Sequence, residues 1–452
     1  MASRRIGSSL RIVHMAPLVP LLLVAIIAAE AIRDNSFLWH IRAGAIQLSD
    51  ARVITEDPFS LAFAGESWRT QSWLIELLYA TLEGGFDGLA WANIMVFVLG
   101  STTALLIGLA AYRSTRSPIV TGLVMVVAVW LSGPFLQPRP VIASYVALAA
   151  LVLVLQNRDR MLWLLVPIFW IWAGIHGSWI IGGGFLMLEW LRTSDRRLFR
   201  AGIAALTAVL LTAHGLGVWQ VLVDFAGAQG ALALLDEWLP PDFGAVMQAP
   251  YLLVIAGVIA AAIRGRIKMR DLIVVLPFLF FGLTSRRAVF PAAIVLMPWA
   301  ALGLPTLKPS KSTNSVVVSW VAIGVVGLVA LMPLFARPLG TIDNERFPTE
   351  TIQRAMVGRS VFHDDVVGGF LIYSEWPERY VFVDDRAELY GEEHFRAFTA
   401  ARDGSYEGLF EEFGIDAALT RDEWGLTERL DTDGWVRVVE DGGLVLFYQP
   451  GG

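Results

Sequence analysis

The sequence predicts an α-helical membrane protein with about eleven transmembrane helices, followed by a small α/β domain that lies outside the membrane. Hydrophobic residues make up 56% of the 452 residues, charged residues only 17%, and the mean hydropathy is +0.59. A soluble chain of this length carries more charge. The apolar residues are grouped in long runs, and after Arg337 charged residues and short apolar segments replace those runs.

The apolar runs are bounded by charged residues or by Pro and Gly, and we expect each to cross the bilayer once, as runs of roughly 17 to 25 residues do. Together they define a transmembrane domain over residues 1–336. The predicted spans are 12–32, 88–111, 118–136, 140–156, 161–175, 178–192, 198–213, 249–263, 271–284, 288–304 and 315–336.

Alternate connections between these spans are rich in Lys and Arg, which concentrate on the cytoplasmic side of membrane proteins. This pattern places the N-terminus in the cytoplasm. It places the first loop, 33–72, and the domain 337–452 outside the cell membrane. The basic connections carry Arg113 and Arg116; Arg158 and Arg160; Arg192, Arg196, Arg197 and Arg200; Arg264, Arg266, Lys268 and Arg270; and Lys308 and Lys311.

The first outer loop holds most of the unusual polar residues. Asp34 follows the first span directly, a short amphipathic stretch with Trp39 and His40 comes next, and Asp57 opens the sequence Asp-Pro-Phe-Ser. Trp73 then begins an aromatic return toward the membrane. Acids and aromatic side chains in this order indicate a reaction site at the membrane surface. The tryptophans have a second use, because Trp also anchors helices at membrane interfaces.

Three arginines depart from the charge pattern, because Arg139, Arg286 and Arg287 lie in short turns that the topology places outside. Guanidinium groups bind phosphate and carboxylate through paired hydrogen bonds. These side chains therefore either bind an anionic ligand, or extend to lipid headgroups or pair with Asp34, Asp57 or Glu237.

The outer histidines leave two roles open. His40, His176 and His214 all fall in outer loops. Imidazole titrates near neutral pH and serves in proton transfer, whereas a histidine in a loop is also a common hydrogen-bonding residue.

The tail has the pattern of a small α/β domain. Residues 435–440 and 444–448 are predicted to form two strands joined by Asp441-Gly-Gly443, and 406–413 is amphipathic. Short apolar runs at 380–383 and 415–419 predict further strands. The cluster Asp384-Asp385-Arg386 follows the first of these runs. It fits a ligand site at the end of a strand or a buried salt bridge, and we favour the salt bridge.

Several functions are excluded by composition. The chain has no cysteine, so a cysteine nucleophile, a disulfide and a thiolate metal site are all ruled out. The net charge is −6, which argues against nucleic acid as a partner. No P-loop, dinucleotide-binding or zincin pattern is present.

The order of these motifs resembles the GT-C superfamily, whose members are multi-pass glycosyltransferases that use lipid-linked sugar donors. The likeness is greatest to a largely uncharacterised bacterial branch, similar to the mannose-type and arabinose-type enzymes, and it covers nearly the whole chain. The residues that carry it are Asp34, Trp39-His40, Gly44, Asp57-Pro-Phe-Ser60, Trp73, Arg139-Pro140, Trp172, His176-Gly177, Glu237-Trp238 and Asp385-Arg386 with Tyr390-Gly391.

The resemblance implies transfer of a sugar, with inversion, from a polyprenyl-phosphate donor to an extracytoplasmic glycan, lipid or protein acceptor in a bacterial plasma membrane. It also implies a juxtamembrane helix over residues 37–48. Such a transfer needs a base for the acceptor hydroxyl and cations for the departing phosphate. The implied roles are catalysis by Asp34, with Asp57 second; phosphate binding by Arg286, Arg287 and Arg139; and substrate positioning by His40, Trp39, His176, His214 and Glu237.

One departure from the family bears on the chemistry. Many members have a second acid directly beside the first, whereas this chain has Asn35 after Asp34. Either Asp57 supplies that acid or a metal-dependent form of the reaction is absent, so a divalent metal stays open and no other cofactor is implied.

Two further functions stay open. The chain fits a transporter or flippase of a lipid-linked intermediate, or a catalytically inactive GT-C-like partner protein. Transporters usually carry ionisable groups near the membrane midplane, and the predicted spans here are almost free of charge. This favours chemistry at the surface.

The predicted topology is testable with reporters. A reporter fused after Ser194 is expected in the cytoplasm, and one fused at Gly452 is expected outside, because the basic connections alternate with the outer loops. Protease accessibility in spheroplasts measures both, and finding the two reporters on one side contradicts the topology.

Overall fold

The computed structural model describes residues 16–227, 230, 236–305 and 331–451. The protein is mostly helical, with one small sheet near the C-terminus. The helices of the N-terminal part are α1 Val19–Ala28, α2 Asn35–Asp50, α3 Trp73–Gly85, α4 Ala90–Thr115, α5 Pro118–Ser132, α6 Val141–Gln156, α7 Arg158–Met161, α8 Leu165–Ile175, α9 Trp179–Thr193, α10 Arg196–Val209, α11 Val218–Gly227, α12 Tyr251–Ile263, α13 Leu272–Thr284 and α14 Arg286–Gly303.

Helix α14 lies at the centre of this helical part. It is buried on most of its surface and packs against α4, α5, α6, α12 and α13. Its approach to α12 is close because both helices have glycine at the contact. A Cβ atom added to Gly303 would lie only 1.9 Å from the carbonyl oxygen of Gly257. Small residues of this kind allow helix backbones to approach where the packing is otherwise apolar.

The structure corrects the expected number of spans. Among the described residues, two segments are long and apolar enough to cross a membrane, Ala90–Thr115 and Pro118–Phe135. A third span results if Val141–Gln156 and Arg158–Ile175, which meet at 110°, are one bent span. The eleven predicted helices are therefore not found. Two or three such helices are consistent with association with a membrane.

Helix length explains the difference. The predicted span 271–284 forms a helix of 13 residues, which is roughly 20 Å long at 1.5 Å per residue and shorter than a bilayer core of about 30 Å. In the described part of the run 12–32, the α-helix is Val19–Ala28, which has 10 residues. Apolar composition made these runs look like full spans, but turns divide them. The described residues do not include 1–15, Lys308, Lys311 and most of the predicted span 315–336.

The loop 33–72, predicted to lie outside and called the first outer loop below, contains a helix where the resemblance implied one. The resemblance implied a helix over 37–48, and the structure has α2 at Asn35–Asp50. Asp34 is its N-cap, because its Oδ1 accepts a hydrogen bond of 2.8 Å from the amide of Phe37. The aromatic return forms α3, which packs against α2.

The tail folds around a four-stranded sheet with strand order β1-β2-β4-β3. Its strands are β1 Val361–Phe362, β2 Ala417–Arg421, β3 Val436–Asp441 and β4 Leu444–Tyr448, and only the β1–β2 pair is parallel. The predicted hairpin and the run 415–419 are thereby confirmed as strands. Helix α15, Pro333–Ala336, precedes the tail, whose own helices are α16 Glu350–Ala355, α17 Asp365–Glu375, α18 Ala387–Arg402, α19 Glu407–Phe413 and α20 Gly425–Thr432.

One predicted strand of the tail is wrong. Residues 380–383 form no strand of this sheet, and Val381 instead makes a single bridge with Ser60 of the first outer loop. The acids that follow are therefore not at the end of a sheet strand. They lie where the tail contacts the first outer loop.

The tail and the first outer loop share one hydrophobic core. Phe37 and Phe59 from the loop are fully buried in a cluster with Phe347, Leu371 and Leu446 from the tail. Polar contacts cross the same boundary. Asn35 Nδ2 donates to the carbonyl of Asp365 at 3.1 Å, and Nη2 of Arg42 donates to the carbonyl of Tyr373 at 2.6 Å.

Arg386 stands at the centre of this boundary. Its guanidinium binds Asp57 Oδ1 at 2.6 Å and both oxygens of Asp384, at 2.8 and 2.6 Å. All three side chains are at most 1% exposed. The guanidinium also lies over the rings of Trp68, at 4.6 Å, and Phe59, at 5.3 Å. The salt bridge favoured from the sequence is thus formed by Asp384.

Replacing Arg386 by Met is expected to destabilise the protein by about 3 to 5 kcal/mol, because Asp57 and Asp384 would remain buried without a cation. Arg396→Met is the matched control, since Arg396 forms an exposed pair with Glu392 and such pairs contribute about 0 to 1 kcal/mol. The midpoint of thermal unfolding in detergent measures both. Equal midpoints for the two variants contradict a central role for Arg386.

Candidate functional site

A cavity of about 350 Å³ opens between the helical part, the first outer loop and the tail. It is bordered by α2, by the starts of α6 and α9, by the turn before α14 and by residues 385–388 of the tail. Its volume is in the range of small-ligand sites. The apolar part of its wall is formed by Val141, Leu148, Ile180, Ile181, Phe281 and Pro291.

Two of the three predicted phosphate-binding arginines line this cavity. Arg139 and Arg287 both contribute to its wall, and both are held by Glu237, at 3.3 Å and 2.9 Å from its two carboxylate oxygens. Arg287 also lies 5.1 Å from the ring centre of Trp238. Each arginine side chain is 28% exposed, and each has a carboxylate partner.

Arg286 is placed differently from its neighbour. Its side chain does not line the cavity, and its backbone amide donates to the carbonyl of Leu239 at 2.9 Å. At the start of α14, successive side chains point about 100° apart around the helix axis. The arginine pair expected from the sequence is therefore divided, with Arg287 directed to the cavity.

Asp34 lies beside the cavity but does not line it. Its Oδ1 caps α2, its Oδ2 accepts a hydrogen bond from Nε of Arg139, and the residue is 4% exposed. The carboxylate thus contacts a residue of the cavity wall and not the cavity itself. With Glu237 and Arg287 it completes an alternating chain of charges along the cavity edge.

Asp57 is not available as a second acid. Its oxygens accept from the amides of Phe59 and Ser60, from the Ser60 hydroxyl and from Arg386, and the residue is 1% exposed. The sequence showed only that Asp57 is near Asp34 in the chain. Its partner Arg386 is more than 300 residues away, so this pairing could not be predicted from the local sequence.

Asp385 and Glu388 bring two carboxylates to the cavity that were not among the predicted site residues. Asp385 accepts from the indole N–H of Trp39 at 2.8 Å, and Glu388 accepts from that of Trp68 at 3.2 Å. Burial raises the pKa of both carboxyl groups above the usual range. The Asp-Asp-Arg cluster signalled Asp385, whereas nothing in the local sequence distinguished Glu388.

His40 and Glu76 form a buried pair beneath Trp39. The Nδ1 atom of His40 lies 2.6 Å from Glu76 Oε1, and the exposed fractions of the two side chains are 6% and 0%. Gln47 Nε2 donates to Glu76 Oε2 at 2.5 Å, and the hydroxyl of Thr70 also donates to this carboxylate. His40 and Trp39 line the cavity, as predicted for substrate-positioning residues. Glu76 was missed because it stands in an apolar helical run.

The other two outer histidines separate in the structure. His176 lines the cavity, and its Nδ1 accepts from the amide of Ser178 at 3.1 Å. Burial, with the nearby charges of Arg287 and Arg139, lowers the pKa of His176 to about 3, so this imidazole is neutral at physiological pH. His214 does not line the cavity, and its Nε2 contacts the Thr70 carbonyl at 2.6 Å.

Glu237 stays ionised between its two arginines. Burial raises the pKa of this carboxyl, but Arg287 and Arg139 together outweigh burial and lower the pKa below the usual range. Over the described part of the chain, no three His, Asp or Glu side chains are grouped so as to hold a metal ion.

Comparison with known proteins adds no family to this description. No protein-family model matches the chain, and no curated protein matches it in sequence.

Proposed function

We propose that this protein is a membrane glycosyltransferase of the GT-C type, which transfers a sugar with inversion from a polyprenyl-phosphate donor to an acceptor outside the cytoplasm. The observation that carries the proposal is the cavity itself. Its wall has an apolar part and also carries Arg139, Arg287, Trp39 and three carboxylate residues. A lipid-linked sugar has the same three parts: an apolar chain, a phosphate and a polyhydroxylated ring.

The arginines supply the phosphate site in this proposal. Arg139 and Arg287 share Glu237, and Asp34 also binds Arg139, so two carboxylates balance the two cations at the cavity edge. A phosphodiester brings one negative charge, which the guanidinium groups bind through charge-assisted hydrogen bonds. As the sugar–phosphate bond breaks, a second negative charge develops on the phosphate, and the guanidinium groups stabilise that charge.

Asp34 acts through Arg139 in this proposal and does not take the proton itself. Both of its oxygens are occupied, one by the cap of α2 and the other by Arg139. A second hydrogen bond joins Arg139 to Glu237, so two acids fix the plane of one guanidinium. This fixed orientation preorganises the phosphate site.

The positions of the helix ends support an outer site. Helices α6, α9 and α14 begin at the cavity, whereas α6 and α9 end at the basic connections around Arg158 and Arg192. Helix α13 runs in the opposite sense, from Arg270 to the cavity. The cavity and the basic connections therefore lie at opposite ends of the helical part, as expected for an extracytoplasmic site.

The phosphate site is tested by exchanging the adjacent arginines one at a time. Arg287→Lys keeps the charge but loses the forked geometry, so binding of undecaprenyl phosphate is expected to weaken by about 1 to 3 kcal/mol, or roughly 5-fold to 150-fold. Arg286→Lys is the matched variant outside the cavity, and we expect it to bind like the wild type. Native mass spectrometry of the detergent-solubilised protein measures both.

The result for the two lysine variants separates the possible sites. Equal affinity in Arg287→Lys and the wild type contradicts the phosphate site at the cavity. If binding of undecaprenyl phosphate weakens only in Arg286→Lys, the phosphate binds at Arg286, the other candidate that the sequence named.

Asp34→Asn is expected to weaken donor binding and to spare the rate at saturating donor. Asn caps a helix as well as Asp does, so the fold should persist, while Arg139 loses one of its two fixing carboxylates. Transfer from undecaprenyl-phosphate mannose and arabinose to cell-envelope glycan, measured as donor affinity and maximal rate separately, checks this. A loss of roughly 100-fold or more in maximal rate with normal donor affinity would instead identify Asp34 as the base.

A further inference from the structure

The pair formed by His40 and Glu76 has a fixed tautomer. Glu76 is fully buried, and its carboxylate receives hydrogen bonds from Gln47, from the Thr70 hydroxyl and from His40. A carboxylate accepts, so Nδ1 of His40 carries the proton of this hydrogen bond. In the neutral form of the ring, the lone pair is then on the other nitrogen, Nε2. Within the residues that the structure describes, it has no protein hydrogen-bond partner, and His40 borders the cavity.

His176, which also lines the cavity, has the opposite arrangement. Its Nδ1 accepts from the amide of Ser178, so its proton resides on Nε2. The turn that sets this geometry is tied to the first outer loop, because the amide of Gly177 donates to the Gln71 side chain at 3.0 Å. The cavity is therefore bordered by two imidazoles whose Nδ1 atoms have opposite roles, a donor in His40 and an acceptor in His176.

We propose that His40 is the proton acceptor of the transfer reaction, that Glu76 is its positioning residue, and that the Nε2–H group of His176 hydrogen-bonds the donor phosphate. This inference rests on the proposed function and goes beyond it, since it assigns the base to an imidazole in the first outer loop. Carboxylates are less suited at this site. Asp57 is sealed by Arg386, Asp34 does not reach the cavity, and Asp385 already accepts from Trp39.

The reaction balances with these groups alone. The acceptor hydroxyl oxygen forms a bond to the anomeric carbon as the bond from that carbon to the phosphate oxygen breaks, and the electron pair leaves with polyprenyl phosphate. The hydroxyl proton passes to Nε2 of His40, whose imidazolium is stabilised by the Glu76 carboxylate. The proton then passes from the imidazolium to the released phosphate or to water, which restores the neutral ring.

The tautomers are measurable without any donor. Solid-state ¹⁵N NMR of the full chain in lipid, labelled at histidine, is expected to show Nδ1–H for His40 and Nε2–H for His176 at neutral pH. Signals are assigned by their loss in His40→Gln and His176→Gln. A His40 protonated on Nε2 overturns the proposal.

The chemical role is tested by transfer kinetics with undecaprenyl-phosphate mannose and arabinose as donors. His40→Gln is expected to lower the maximal rate by roughly 100-fold to 10,000-fold, the usual contribution of a general base, with little change in donor affinity. Glu76→Gln is expected to lower it by about 10-fold or more and to move the His40 proton to Nε2 in the NMR spectrum. His394→Gln, in the tail, and Glu66→Gln, exposed in the same loop, are the matched controls.

The outcomes separate this inference from the proposed function. Wild-type chain that neither binds undecaprenyl phosphate nor consumes either donor contradicts the proposed function. Wild-type transfer that persists in a folded His40→Gln protein contradicts only the histidine. If Asp385→Asn abolishes transfer while His40→Gln does not, Asp385 is the base and the inference fails. Added imidazole that restores transfer to His40→Ala supports proton acceptance at this position.

Discussion

The burial of Arg386 between Asp57 and Asp384 is the constraint on which the site depends. A guanidinium that is 1% exposed has left water at a large cost, and only two carboxylates with good geometry offset that cost. Because Asp57 belongs to the first outer loop and Asp384 to the tail, neither segment satisfies the arginine alone. The loop and the tail therefore fold together around Arg386. The cavity forms where they meet the helical part.

The arrangement around Arg386 also sets the chemistry of its neighbours in sequence. Asp384 forms the salt bridge with Arg386, whereas Asp385 lines the cavity and accepts a hydrogen bond from Trp39. Three residues further along, Glu388 is held by Trp68, and the two indole rings meet edge to face with their centres 5.7 Å apart. One anchored residue thus brings two carboxylates and two aromatic rings to the same wall. This combination is suited to a ligand that is polyhydroxylated on its edges and apolar on its faces.

Local signals predicted the hairpin of the tail, and distant pairings limited the prediction of the site. The hairpin 436–448 follows from alternation and a Gly-Gly turn within a few residues. The helix after Asp34 was implied by the resemblance, and in the structure Asp34 is its N-cap. Residues 380–383 have the composition of a strand, but Val381 pairs with Ser60, more than 300 residues away. The same distance concealed the partner of Asp57. The role of Glu76 could not be predicted because it stands in an apolar run. Its burial is explained only by its hydrogen-bond donors His40, Gln47 and Thr70, which the structure brings to it.

The arginines and the histidines at the cavity differ in their partners. The cations Arg139 and Arg287 are each balanced by carboxylates at the cavity edge. Two imidazoles border the same cavity, each fixed by a hydrogen bond at its Nδ1 atom. In the proposed reaction, the arginines bind the phosphate and stabilise the charge that develops on it, whereas the imidazole of His40 acts only when a hydroxyl loses its proton. The proposal thus assigns phosphate binding and proton transfer to different groups of one cavity of about 350 Å³.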